Sequence, residues 1–123
     1  MKKIYIAGAM TPRGYRPDTH NAAIEYLLNI RDMLLDEQVL RDKGYVPFNP
    51  ARDLLTFLSL PQGAVISEPQ IKAESMAWLE DCDCIVFLPG WKTSAGCLAE
   101  EQRASELGMP CYYSLSEVPD VRN

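Results

Sequence analysis

The segment Cys84-Ile85-Val86-Phe87-Leu88 is a continuous apolar run, opened by Asp83 and closed by Pro89-Gly90. A strand with one wet face alternates apolar and polar residues. A strand that is apolar throughout has to be covered on both faces, which is the condition of a central strand in a parallel sheet. Parallel neighbours cannot be joined by tight hairpins, so helical crossovers must flank this run. Ser94 to Leu107 supplies the following helix, stopped by Gly108. Pro69 to Glu80 supplies the preceding one, with Ile71, Met76, Trp78 and Leu79 as the residues expected to be buried. Upstream, Lys3 to Ala7 is a compact apolar strand ended by the turn-rich Gly8-Ala9-Met10-Thr11-Pro12-Arg13-Gly14. A long helix capped by Asp18 or Thr19 runs to about Lys43. Its Ala23, Ile24, Leu27, Leu28, Leu34 and Leu35 recur at helical spacing, and Gly44 ends it. Tyr45-Val46-Pro47-Phe48 is a short strand whose proline suits an edge or a strand end. Cys111-Tyr112-Tyr113 is the last strand. Between 51 and 70, Leu54, Leu55, Phe57, Leu58 and Leu60 suggest a short apolar helix before Pro61-Gln62-Gly63, expected as a lid or a subunit contact.

This β-α-β-α-β order predicts an α/β fold, a Rossmann-like three-layer sandwich with a mostly parallel sheet of four or five strands and right-handed crossovers. The 123 residues are read as a single domain, 1–123. In such folds ligands sit outside the carboxyl ends of the strands. That places the site among the loops 8–14, 49–53 and 89–96.

The balance of 17 acidic against 12 basic residues, net −5, does not suit a protein that holds duplex nucleic acid by neutralising phosphates. It allows a small anion where a local site supplies donors. A composition 47% hydrophobic and 24% charged argues against disorder. No apolar run approaches a membrane span, and the opening residues are too short and strand-like for a signal peptide, so a cytoplasmic protein is expected. Cys82, Cys84, Cys97 and Cys111 form no C-x-x-C pair, and His20 is the single histidine. Free buried thiols are expected, with no metal site and no cofactor.

The chemical clue is Glu100. Projected at 100° per residue, the helix from Ser94 places Cys97, Ala104, Leu107 and Gly108 on one side, and Glu100 falls among them. Burying an ionised carboxylate is costly unless something pairs with it or uses it. One turn earlier stands Gly96, so no side chain covers the space above Glu100. The alternative is a helix rotated so that Glu100 tips into solvent. Thr93 and Ser94 can cap the helix, or join its free N–H groups in holding an anion.

Together these residues resemble the nucleoside 2-deoxyribosyltransferase-like superfamily. The resemblance rests on Ile4-Tyr5-Ile6-Ala7-Gly8, Asn49-Pro50, Cys82-Asp83-Cys84-Ile85-Val86, Leu88-Pro89-Gly90-Trp91 and Ser94-x-Gly96-x-x-x-Glu100. The Pro-Gly-Trp form is similar to a branch of short, often phage-associated proteins. The resemblance covers nearly the whole chain, apart from a lengthened first helix and the 55–70 segment. It implies cleavage or transfer at the N-glycosidic bond of a 2-deoxynucleoside or its 5′-monophosphate, through a covalent glycosyl-Glu100 intermediate. Tyr5 would hold the nucleophile, and Gly8, Met10, Arg13, Asn49, Ser75, Gly90, Trp91, Ser94 and Gly96 would line the substrate site. It also implies a homodimer or larger homo-oligomer, for which Leu54 to Leu60 with Trp78 is a plausible contact surface.

The chain departs from the superfamily pattern twice. Ser94 stands where nucleoside transferases carry an acid for the sugar 5′-hydroxyl, as in the 2-deoxynucleoside 5′-monophosphate N-hydrolases. A serine donates to a phosphate that an acid would repel, which implies a nucleotide substrate. Ser75 stands where the superfamily has an assisting Asp, and serine cannot replace it as an acid or base. Glu74 and Asp81 are the nearby acids. A nucleotide-binding or sensing module with weak or absent catalysis is therefore the alternative reading. A fainter similarity is to phosphoribohydrolases that release cytokinin-type bases, whose Pro-Gly-Gly-x-Gly-Thr loop is absent here.

Overall fold

The computed structural model describes residues 2–8, 20–51 and 68–122. The expected loop from Ala9 to Gly14, the Asp18 or Thr19 cap, the Leu54–Leu60 segment and Pro61–Gly63 lie outside the described residues, as do the side chains of Ala23 and Ile71.

Four strands, β1 (Lys2–Ala7), β2 (Tyr45–Phe48), β3 (Cys84–Phe87) and β4 (Cys111–Tyr112), form one all-parallel sheet in the order β2-β1-β3-β4. Tyr5 of β1 is in register with Phe48 on one side and Ile85 on the other. β2 is an edge strand, as its Pro47 requires. Among the described residues three helices accompany the sheet: α1 (His20–Asp42), α2 (Glu68–Asp81) and α3 (Ala95–Glu106). Single 3₁₀ turns occupy Trp91–Thr93 and Leu115–Glu117.

The alternation of β1 divides the core into two layers. Ile4 and Ile6 join Val86, Leu88 and the α1 residues Ile30, Met33 and Leu40 on one face. Tyr5 and Ala7 join Ile85, Phe87, Leu79 of α2 and Cys97 and Ala104 of α3 on the other. This is the predicted three-layer α/β sandwich, and β3 is buried at every position.

Three expectations about side chains need correction. In α1 the apolar residues Ile24, Leu27, Leu28 and Leu35 are exposed, and Leu34 is only partly buried. The packed face is Ile30, Met33, Glu37 and Leu40 instead, because this helix is apolar on two sides and periodicity cannot say which side meets the sheet. Trp78 is 51% exposed rather than buried, since it lies against the edge strand, stacked on Phe48 at 5.0 Å. Leu107 and Gly108 are exposed because the helix has already ended at Glu106.

Gly44 ends α1 with φ 97° and Gly90 opens the Trp91 turn with φ 88°, a left-handed backbone that side chains resist. Gly90→Ala is expected to cost about 1–2 kcal/mol, read as a lower urea midpoint.

Candidate active site

Tyr5 projects from the middle of β1 into the layer formed by α2 and α3 and is fully buried. Glu100 reaches the same place from α3, about one and a half turns below its N-cap, and Ser75 reaches it from α2. Tyr5 Oη and Glu100 Oε2 are both buried, and among the described residues neither has a hydrogen-bond partner. They stand close enough to influence each other's ionisation without meeting in hydrogen-bond geometry. Burial pushes the Glu100 carboxyl up to about 7, against a smaller downward pull from the Tyr5 hydroxyl. Burial, then the charge of Glu100, holds the Tyr5 phenol above its usual range, while Ser75 eases it slightly. Cys97, one turn before Glu100, has its thiol pushed up to about 11 by burial and is no ready nucleophile.

Native proteins rarely leave two facing buried polar atoms unpaired, and where they do a ligand or a reaction is the usual reason. Among the described residues the space beside Glu100 on its N-terminal side is open: there a Cβ on Gly96 would meet only Ser94 Oγ, at 3.7 Å. Ser94 caps α3, its Oγ accepting from Cys97 N at 3.2 Å, which leaves the hydroxyl hydrogen free to donate elsewhere. Gly90 and Trp91 form the adjoining turn. The Trp91 ring lies 4.8 Å from Phe87 and 5.5 Å from Tyr113, with Lys92 Nζ over it at 5.8 Å.

The structure thus gathers Tyr5, Ser75 and Glu100, with Ser94, Gly96, Gly90 and Trp91 at the start of the same helix. Two others have partners on the α1 side of the sheet. Asn49 is buried and its amide is fully engaged: Nδ2 donates to Glu37 Oε2 at 3.1 Å and Oδ1 accepts from Ala51 N at 2.9 Å. It shapes the turn after β2. Gly8 has a packing role, since a Cβ there would lie 3.1 Å from Met33 Sδ and 3.3 Å from Leu88 Cδ1. Met10 and Arg13 lie outside the described residues. Neither nearby acid replaces the missing Asp: Asp81 is ion-paired to Lys3 Nζ at 2.7 Å at the opposite end of β1, and Glu74 is exposed.

Two features escaped the sequence reading. Glu37 is 1% exposed within α1, bonded by Arg41 at 2.7 Å as well as by Asn49. Its place in the row of Met33 and Leu40 was the available signal, the same kind that marked Glu100. Phe48 stands 5.5 Å from Tyr5 and carries Trp78 on its outer side, making an aromatic wall beside the pair. A cavity of about 310 Å³ between Glu80, Cys82, Asp83 and Met109 lies at the amino ends of the strands, away from this cluster.

A parallel sheet of this order, with helices on both faces, defines a Rossmann-like α/β protein. The solved 2-desoxiribosyltransferase from Leishmania mexicana aligns with a TM-score of 0.51 at 19% identity, over 93% of this chain. The chain spans 65% of that protein's length. Residues 2–113 match the family described as Domain of unknown function (DUF4406), and the chain belongs to that family. No curated protein matches it. Among the described residues no helix is long and apolar enough to cross a membrane.

Proposed function

We propose that this protein cleaves or transfers at the N-glycosidic bond of a (deoxy)nucleoside 5′-monophosphate, with Glu100 as the nucleophile. The observation that carries this reading is the pair itself, a carboxylate buried beside a buried phenol, with Glu100 Oε2 and Tyr5 Oη each lacking a partner in hydrogen-bond geometry among the described residues. An oxygen of Glu100 bonds to the anomeric carbon as the carbon–nitrogen bond breaks, and the bond's electrons leave with the base, which takes a proton from solvent. Water or a second base then attacks the same carbon, and the ester electrons return to Glu100. The ionised carboxylate also stabilises the positive charge that develops on the sugar. Tyr5 holds the carboxylate, and Ser94 with the free N–H groups of α3 takes the phosphate.

Incubation with each deoxynucleoside monophosphate, followed by chromatography for free base, tests the reading. Mass spectrometry of acid-quenched protein should show a deoxyribosyl phosphate adduct that Glu100→Gln lacks. Because Glu100 must be ionised, base release is expected to rise with pH through about 7 and then level off. Tyr5→Phe removes the one group that lowers the Glu100 pKa, so the rise should move to higher pH. The fold should tolerate that change, because among the described residues no group meets the lost hydroxyl in hydrogen-bond geometry.

Ser75 favours a second reading, a nucleotide-binding or sensing module on the same fold. There calorimetry would find monophosphate binding without any base released. Under either reading the partner is a small nucleoside or nucleotide rather than duplex nucleic acid, and the protein works in the cytoplasm as a homodimer or larger homo-oligomer.

A further inference from the structure

The sequence suggests Leu54 to Leu60 with Trp78 as the surface that meets a second copy, and α1 carries another exposed apolar row. Its sheet-facing side is Ile30, Met33, Glu37 and Leu40. On the other side Ile24, Leu28, Leu35 and Val39, flanked by Leu27, are between 41% and 62% exposed. At 100° per residue those four fall within an arc of about 60°, opposite the buried face. A helix apolar on two opposite sides is suited to being covered on both.

The spacing of the outer row indicates what fits it. The steps are four residues from Ile24 to Leu28, seven to Leu35 and four to Val39, so the row reads alike from either end. Its midpoint falls between Arg31 and Asp32, which form an ion pair at 3.2 Å. Laid antiparallel on a copy of itself about a two-fold axis through that midpoint, Leu28 comes level with the other Leu35, and Ile24 with the other Val39. Arg31 comes level with the other Asp32, and at ordinary helix separation their Cα atoms lie about 7 Å apart, within an arginine's reach. The centre of the contact then holds two cations and two anions. The centre of the contact is therefore locally neutral, although each chain carries a net −5. A row that is its own complement under a two-fold axis is the mark of an isologous interface.

We propose that the chain forms a two-fold homodimer by antiparallel pairing of α1 through Ile24, Leu28, Leu35 and Val39, with Arg31 and Asp32 at the axis. This rests on the homo-oligomer reading and not on the chemistry at Glu100. Sedimentation equilibrium of the full chain should give twice the chain mass. Leu35→Glu, at the most exposed position of the row, should give a monomer with unchanged far-ultraviolet circular dichroism. Arg31→Asp places four acids at the axis and should weaken the dimer roughly tenfold or more. Adding Asp32→Arg restores two of each sign and should restore the dimer. A wild-type monomer overturns both the homo-oligomer reading and this surface. A dimer indifferent to Leu35→Glu and to the charge reversals overturns this surface alone.

Discussion

Glu100→Gln is expected to abolish base release and, at the same time, to make the protein more stable at alkaline pH. The first effect follows from removing the proposed nucleophile, because an amide oxygen cannot form the glycosyl ester. The second follows from the environment of the carboxylate. Glu100 has an ordinary pKa of 4.5, and burial raises it to about 7 in the folded chain. Below 4.5 the group is protonated folded and unfolded alike, and it contributes no difference. Between 4.5 and about 7 the unfolded chain gains by ionising while the folded one does not, so stability falls as pH rises. Above about 7 the full cost of a buried carboxylate is present. At about 1.4 kcal/mol per pH unit that interval corresponds to about 3 kcal/mol, or roughly 10 °C in melting temperature. Thermal unfolding of the two proteins at pH 8 and pH 4.5 checks this, with the advantage of Gln present at the first and absent at the second. A variant that is inactive and no more stable at pH 8 would mean that Glu100 is already satisfied in the folded protein.

Glu100 could be found in the sequence for the reason that makes it costly. Cys97 and Ala104 fix the inner side of α3, and a carboxylate on that side stands out against them. The sheet could be read for a similar reason, since Cys84 to Leu88 has no polar residue that could face water. The orientation of α1 could not. Its two apolar sides compete, and the choice is made by contacts with Ile4, Ile6 and Val86 that no local pattern contains. Asn49 reads as a substrate-site residue at the end of β2, and its bond to the buried Glu37 is not legible, because that partner is twelve residues away in the chain. Tyr5 and Ser75 came from resemblance alone. A tyrosine in an apolar strand and a serine in a helix have no local signature that distinguishes a site from a core.

Ser75→Asp is expected to raise base release by about 10²- to 10⁴-fold, the span that a positioned general acid or base ordinarily contributes. The departing base has to gain a proton, and a serine hydroxyl does not ionise in the range where it could supply one. Ser75 already lies close enough to the Tyr5 hydroxyl to affect its ionisation, so a carboxyl at that position is placed beside the Tyr5–Glu100 pair. Asp81 cannot take this part while it is held by Lys3 at the far end of β1, and Glu74 points to solvent. The gain has a recognisable signature. A second acid beside Glu100 makes ionisation of both less favourable, so the rise of activity with pH should shift upward as the maximum rate increases. The two readings of the site part here. An enzyme slowed by the loss of one acid recovers when the acid is returned. A module that binds nucleotide without turning it over gains nothing, and its affinity falls because the new carboxylate stands near an anionic ligand. Base release and calorimetric affinity, measured on wild type and Ser75→Asp across pH 5 to 9 on the order of one unit apart, therefore separate a weakened catalyst from a receptor.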